Sequence, residues 1–426
     1  MRPKIAIIEF PGTNCEVETA KAVVEANMEA VSFRYNEKPS LLKQYDGFIL
    51  PGGASYEDRS RCGIIAALQP IIKYLKEEDK KGKPILGICN GAQILIEAAM
   101  VPGFDNYTLG GSLAVNTLLE DPKSIGVGLY STSVNIRAKN LMHKGAFFNN
   151  LDDNTIIKVP VAASSGRFVF SDEVLQKLKY YNCTALYYCN EQGQIINNSA
   201  VNPYNSINNI GALTNFNGNV LAALPHLERV KEIKLFLDSM HTYIIENKKI
   251  TNQIVELDVL PSNQLKYEKK LNTKELVVGT IINDNSAATV QQTVEKLGFP
   301  VKIGRAIHWT LVKDENATEE DFINEVEKIE QSGHLFNPNK EFLIQNSFSK
   351  GQKILVQTIK EKDDAIALFT YRQLKKRFDL KSVSSIRHSI LWSIDLKGDP
   401  QKNIIKQILK TNIFNNPFTH VRYHYE

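Results

Sequence analysis

The stretch Lys83-Pro84-Ile85-Leu86-Gly87-Ile88-Cys89-Asn90-Gly91-Ala92-Gln93 constrains this chain more than any other. Ile85, Leu86 and Ile88 make the short apolar run of a strand covered on both faces. Gly87 and Gly91 flank Cys89 as G-x-C-x-G. That is the composition of a sharp strand-to-helix turn, where the backbone is tight and a substrate must come close. A helix from about Gly91 to Met100 turns its positive end toward the sulfur, and that dipole favours thiolate. The stretch suits a nucleophilic cysteine, and equally a buried structural one.

The neighbouring sequence supplies a sheet for this turn. Lys4–Glu9 reads as a strand ending at Phe10-Pro11-Gly12. Thr13 or Asn14 then caps a helix whose apolar face is Val17, Ala20, Val23 and Val24. Asp46–Leu50 reads as a second buried strand, ending at Pro51-Gly52-Gly53, and Gly63–Glu78 as an amphipathic helix. Strands alternating with helices indicate a doubly wound, mostly parallel α/β sheet. Ligands of such sheets gather at the carboxyl ends of the strands, so Gly52-Gly53 and Cys89 are expected to face one another. Further on, the apolar run Asn219–Leu224 leads into Pro225-His226-Leu227-Glu228-Arg229. In an extended segment residues i and i+2 project the same way. His226 can then face the thiol while Glu228 orients it, giving nucleophile, base and orienter.

The remaining bounds are broad. A length of 426 residues suggests two or three domains, and a formal charge of +4 is too small to argue for nucleic acid. Met1–Phe10 has neither the length nor the flanks of a signal peptide. No apolar run reaches membrane-spanning length; even Ile94–Met100 carries Glu97. Five cysteines without a C-x-x-C pair fit a reducing cytoplasm and argue against both a disulfide framework and a zinc site.

Residues 1–248 resemble the class I glutamine amidotransferases, and among them the glutaminase subunits of phosphoribosylformylglycinamidine synthase. The resemblance is carried by Phe10-Pro11-Gly12-Thr13-Asn14-Cys15, Leu50-Pro51-Gly52-Gly53-Ala54-Ser55-Tyr56-Glu57-Asp58 and Arg61-Cys62-Gly63. Leu86–Gln93, Asn202-Pro203 and Leu224–Arg229 continue it in the same order. It implies a flavodoxin-like sheet and a thioester formed by Cys89 on the side-chain amide of glutamine, with His226 moving protons and Glu228 orienting it. It also implies an oxyanion held by the N–H groups of Asn90 and of the Gly52-Gly53 turn, with Gln93 lining the glutamine pocket. Three segments depart from the family. Val159-Pro160-Val161-Ala162 is followed by Ala163-Ser164-Ser165-Gly166 in place of His-Gly-Glu-Gly. Leu227 stands where a proline is usual. Within Asn202–Ile210, Asn205 stands where a glycine is usual before Ser206.

Beyond a polar linker at 249–273 the chain reads as a repeat, 274–346 and 352–426, each copy a small α+β domain. Both run strand, helix, long strand, helix, Asn-Pro, strand. Arg305-Ala306-Ile307-His308-Trp309 and Arg387-His388-Ser389-Ile390-Leu391-Trp392 occupy the same place. Thr318–Asp321 suggests a capping box, and Asp399-Pro400 a cap followed by proline. Each copy resembles the small subunit of the same synthase. The two are expected to pair as an internal pseudo-dimer across a tether at about 346–352. The resemblance implies a chain that releases ammonia for a separate synthetase subunit, with no cofactor of its own. ATP and magnesium would serve that partner, and no phosphate-binding loop occurs here. A glutaminase for another synthetase, or a scaffold with impaired glutaminase activity, remain the alternatives at this stage.

Overall fold

The computed structural model describes residues 2–117, 128–139, 145–153, 155–183, 185–247, 253–258, 265–345, 348–349, 351–396 and 402–426. The chain divides into two compact units, the first spanning Met1–Asn116 and Gly128–Val259, the second consisting mainly of Leu260–Glu426. Among the described residues no helix is long and apolar enough to cross a membrane.

The first unit opens with β1 (Lys4–Glu9), α1 (Glu16–Glu25), β2 (Glu29–Arg34), β3 (Gly47–Leu50), α2 (Ile64–Ala67) and α3 (Pro70–Lys80). Then come β4 (Ile85–Ile88), α4 (Asn90–Glu97), β5 (Ser112–Ala114), β6 (Tyr130–Ala138), β7 (Ile156–Ala163) and β8 (Arg167–Val169). It closes with α5 (Asp172–Tyr180), β9 (Ala185–Cys189), β10 (Ile210–Thr214), β11 (Val220–Ala223) and α6 (Ile233–Ile245). Nine strands form one sheet in the order β2-β1-β3-β4-β11-β10-β9-β6-β7. From β2 to β11 every neighbour is parallel; from β11 to β7 every neighbour is antiparallel. The sheet is therefore mixed, not mostly parallel. The parallel half is apolar on both faces: every residue of β3, β4 and β11 is buried. Along β6 burial alternates in the second half of the strand, as one covered face requires.

Two helices differ from expectation. The helix expected over Gly63–Glu78 breaks at Leu68-Gln69, and Pro70 starts α3 at a position where its missing N–H costs nothing. In α1 the cap position is Cys15, and Thr13 instead accepts from the Phe10 N–H. The buried residues there are Thr19, Ala22 and Val23, while Val17 and Val24 are 71% and 54% exposed.

The segment expected as linker is not bare. The Val255 carbonyl accepts from Asp105 N–H, and the Val255 side chain is buried in the first unit. The short strand β12 (Leu265–Lys266) begins the second sheet. That unit continues with β13 (Thr273–Thr280), α7 (Asn285–Lys296), β14 (Val301–Lys313), α8 (Glu319–Gln331) and β15 (Glu341–Leu343). A second run follows: β16 (Gln352–Thr358), α9 (Ala365–Phe378), β17 (Val383–Leu396), α10 (Lys402–Lys410) and β18 (His420–Tyr425). The two runs share one strand–helix–strand–helix–strand pattern. They join into one sheet, β12-β18-β16-β17-β14-β13-β15, through an antiparallel ladder along the whole of β14. Matching devices recur. Asp284 and Asp364 each cap a helix by accepting from the N–H of Ala287 and Ala367, and each pairs with a strand arginine, Arg305 and Arg387. Across the ladder Trp309 meets the His388 ring edge-on at 4.9 Å, and Trp392 lies under the Arg305 guanidinium at 5.9 Å. Thr318 caps α8, accepting from Asp321 N–H. The expected tether falls partly, and Asp399-Pro400 wholly, outside the described residues.

One buried acid in the first unit sets a pH dependence. The Asp79 carboxylate accepts from Asn219 Nδ2 (2.8 Å) and the Tyr107 hydroxyl (3.0 Å), bonds that favour ionisation. Burial outweighs them and pushes the group up to about 6. A carboxyl raised on folding stabilises fully below its unfolded value and loses that contribution as pH rises through its folded value. Urea midpoints of wild type and Asp79→Asn, measured from pH 4 to 8, are therefore expected to converge as pH rises through about 6, or to cross if the amide packs well. The difference should amount to no more than ~3 kcal/mol. A constant difference across that range would contradict this.

Candidate active site

Three adjacent parallel strands end at the same edge of the first sheet. In register, Leu50 of β3 stands beside Gly87 of β4, and Ile88 of β4 beside Ala223 of β11. The next residues of each strand therefore emerge together: Pro51-Gly52-Gly53, Cys89 and Pro225-His226. The Cys89 N–H donates to the Ala223 carbonyl at 2.8 Å, locking the turn to β11. Cys89 itself has φ +51° and ψ −105°, a strained conformation for a residue bearing a Cβ, and α4 starts at the next residue. Gly91 makes this possible, because any side chain there would overlap the Leu50 carbonyl. Gly87 is similarly pressed against Gly91.

The Cys89 thiol is buried and donates to the Ala162 carbonyl at the end of β7 (3.6 Å). The Asn90 backbone N–H is directed at the sulfur and favours thiolate, as the helix position implied. Burial is the larger influence, and with the Glu228 carboxylate it drives the thiol well above its ordinary range. Burial thus favours the neutral Cys89 thiol, against the sequence expectation of a helix-stabilised thiolate.

His226 and Glu228 meet as expected, by a different geometry. Leu227–Arg229 is a turn of 3-10 helix and not an extended segment. It brings Glu228 Oε1 to 2.5 Å from His226 Nδ1, both side chains buried. The His226 N–H donates to the Pro160 carbonyl of β7 (2.9 Å), which fixes the main chain. A Cβ placed on Gly52 would lie 3.0 Å from His226 Cε1, 3.1 Å from Cys15 Sγ and 3.4 Å from Cys89 Cβ. Gly52 therefore sits among Cys89, the His226 imidazole and the Cys15 thiol, and no larger residue fits without displacing one of them. The Gly52 carbonyl accepts from the N–H groups of Asn14 and Cys15, and the Gly12 carbonyl from that of Ala54. These bonds hold the Gly52-Gly53 turn without using the N–H of Gly52.

Asn90 and Gln93 have side chains already engaged. Asn90 Oδ1 accepts from Ser55 N–H (3.1 Å), and Asn90 Nδ2 donates to Gln93 Oε1 (2.8 Å). Gln93 Nε2 donates to the Ser165 carbonyl (2.8 Å). Gln93 thus braces the divergent Ala163–Gly166 loop. That loop is held elsewhere too: Ala163 N–H donates to the Tyr204 hydroxyl, and Gly166 N–H to Asn116 Oδ1. Sequence reasoning assigned no role to Cys15 or Arg229, although both lie inside quoted motifs. Arg229 Nη2 donates to Cys15 Sγ (3.5 Å), which lies 4.0 Å from His226 Nδ1. Among the described residues the only grouping of at least three side chains spaced to hold a metal ion is Cys15, His226 and Glu228.

The model of the CobB/CobQ-like glutamine amidotransferase domain matches residues 2–235. The phosphoribosylformylglycinamidine synthase subunit PurQ of Methanothrix thermoacetophila is 40% identical over 229 residues, 53% of this chain and 86% of that protein. The PurQ subunit of Methanocaldococcus jannaschii is 38% identical over 229 residues, 54% of this chain and 90% of that protein. Among solved structures, a chain of PurLQS from Thermotoga maritima aligns at 27% identity with a TM-score of 0.44, covering 57% of this chain and 100% of that one.

Gly91→Ala tests the turn geometry. It is expected to destabilise the first unit by ~1–3 kcal/mol through overpacking against Leu50 and to displace Cys89. Denaturant midpoints and alkylation of Cys89 read the two effects. An unchanged midpoint would show that α4 can shift away at no cost.

Proposed function

The chain belongs to the CobB/CobQ-like glutamine amidotransferase family with a PurQ-like first unit, and from that premise we propose how its residues divide the work. Cys89 is the nucleophile, His226 the general base and acid, and Glu228 the group that orients His226. The observation that carries this is the convergence of Gly52, Cys89 and His226 at the ends of three neighbouring strands, with Glu228 on His226 Nδ1. With Nδ1 engaged, Nε2 is the nitrogen left to take the thiol proton. As the sulfur attacks the side-chain amide carbon of glutamine, its proton passes to His226, whose charge Glu228 offsets. The same proton then goes to the departing ammonia, leaving a thioester. Water, deprotonated by His226, cleaves the thioester to glutamate. The oxyanion of both steps is held by the N–H of Asn90 and an N–H of the Gly52-Gly53 turn, donors of a kind worth a few kcal/mol each.

The ammonia is delivered to a separate synthetase subunit of phosphoribosylformylglycinamidine synthase in the cytoplasm. The names of the PurQ relatives support this, as does the want of any phosphate-binding loop motif here. ATP and magnesium belong to that partner, and this chain needs no cofactor for its own step. The second unit is two small-subunit-like copies fused in tandem. Its repeated strand–helix–strand–helix–strand pattern and the β14–β17 ladder support an internal pseudo-dimer that bridges glutaminase and synthetase.

In the reconstituted complex Cys89→Ala is expected to abolish glutamine-dependent synthesis while leaving ammonia-dependent synthesis near wild type, because only the thioester step uses the sulfur. Substantial glutamine turnover by the variant would remove Cys89 from the role. Light scattering on a segment covering 265–426 is expected to give a monomeric mass, since β14 and β17 already satisfy one another. A dimer that persists on dilution would overturn the internal pairing.

A further inference from the structure

The side of His226 occupied by Glu228 also carries a second thiol that the glutaminase mechanism leaves unused. Cys15 Sγ lies 4.0 Å from His226 Nδ1, and Cys15, His226 and Glu228 each present a ligand atom within 4.8 Å of the others. All three are buried. Glu228 Oε1 is taken by the imidazole, but Oε2 is buried with no hydrogen-bond partner. A buried carboxylate oxygen without a protein partner is costly and invites a ligand. We propose that Cys15, His226 and Glu228 form a zinc-binding site that switches the glutaminase off.

Sulfur, imidazole nitrogen and carboxylate oxygen are a donor set that suits zinc, with a water or hydroxide as fourth ligand. Tetrahedral zinc with bonds of about 2.0–2.3 Å places its ligand atoms about 3.3–3.6 Å apart. The sulfur must close in from 4.0 Å, and the carboxylate must retreat from 2.5 Å. These two are movements of under about 1 Å, and the sulfur–carboxylate pair, within 4.8 Å, closes by up to about 1.5 Å, all within reach of side-chain rotation. Arg229 acts in two directions: its N–H on Cys15 Sγ favours the thiolate that zinc needs, and its charge weakens the site for a cation. The Cys15 thiol also donates to Asn14 Oδ1 (3.2 Å), a bond given up when it ionises.

The inhibitory step balances as follows. The Cys15 thiol proton leaves to solvent as the zinc–sulfur bond forms. The proton that Nδ1 donates to Glu228 is lost from Nδ1 and taken up on Nε2, so the imidazole stays neutral while its Nδ1 lone pair binds zinc. Nε2 then carries a proton and cannot accept one from Cys89. Cys89 itself remains in place, so the block is reversed by a chelator.

Two measurements on the full-length chain decide this. Cobalt titrated into Cys89→Ser is expected to give a thiolate-to-cobalt absorption band, and the band should vanish in the Cys89→Ser variant that also carries Cys15→Ala. Absence of the band in the first protein, or its persistence in the second, overturns the site. Zinc is expected to lower the glutaminase rate of wild type about tenfold or more, reversibly by chelator, and that of Cys15→Ala less than about twofold. Equal inhibition of both overturns the switch. Where Cys15→Ala fails to fold, Cys15→Val restores the lost volume and serves in both assays. The inhibition rests on the glutaminase reading whereas the cobalt band does not, so a chain without glutaminase activity that still shows a Cys15-dependent band would sink that reading and the switch but keep the metal site.

Discussion

The close approach of α4 to the end of β3 is the constraint on which the rest of the first unit depends. With no side chain at Gly91, the α4 backbone lies against the Leu50 carbonyl, and Cys89 is forced into its positive-φ turn. The strain is held by what surrounds it: the Cys89 N–H is tied to β11, and β3, β4 and β11 are buried throughout. Parallel pairing then does something antiparallel pairing could not. It places the ends of three successive neighbours at one edge, so residues distant in sequence (Gly52, Cys89 and His226) need no long loops to meet. The antiparallel half of the sheet supplies the wall, with the Ala162 and Pro160 carbonyls of β7 holding Cys89 and His226.

Much of this was legible because the signals were local. An apolar run on both sides of a glycine-flanked cysteine specifies a buried strand and a tight turn without knowledge of partners. The mixed character of the sheet was not legible. Strands such as β10 are buried at every residue, like the parallel ones, and burial alone does not encode direction. The His226–Glu228 contact was foreseen from i,i+2 spacing, yet the chain achieves it by a turn, because β11 ends at Ala223 before the motif begins. Apolar patterning misled at α1, where Val17 and Val24 share a helical face that stays exposed. The helix enters the core through Thr19, Ala22 and Val23 instead.

The second unit was readable as a repeat because its pattern recurs in sequence: strand, helix, a long strand with Arg and then Trp four or five residues later, helix, Asn-Pro, strand. Which strands would pair was not. The long strands β14 and β17 have unpaired edges in either copy taken alone, and an exposed edge of that length is an invitation to associate. Joining two such edges satisfies both ladders within one chain. The two runs differ at the seam. Arg305 over Trp392 and His388 against Trp309 fill corresponding places with different side chains, and burial drives His388 down to about 4, leaving it neutral. One contact is therefore a guanidinium over an indole, while the other is an edge-on packing of uncharged rings.

The electrostatics of the catalytic edge follow from burial in the same way. A thiol inserted among buried strands loses hydration that an ion would need, and the nearby Glu228 carboxylate adds repulsion. One backbone N–H at a helix terminus does not offset both. The same two influences act on Cys15, where Arg229 opposes them and still leaves the thiol up at about 11. In the proposed reaction the sulfur stays neutral until a substrate amide brings a carbon for it to attack and His226 takes the proton in the same event. Charge then appears on the imidazole, beside a carboxylate already in contact with it, and on an oxyanion beside backbone N–H groups already fixed in place. In that proposed reaction these groups act on charge that develops with the substrate amide in place, whereas at rest the single Asn90 N–H on the sulfur is outweighed by burial and by Glu228.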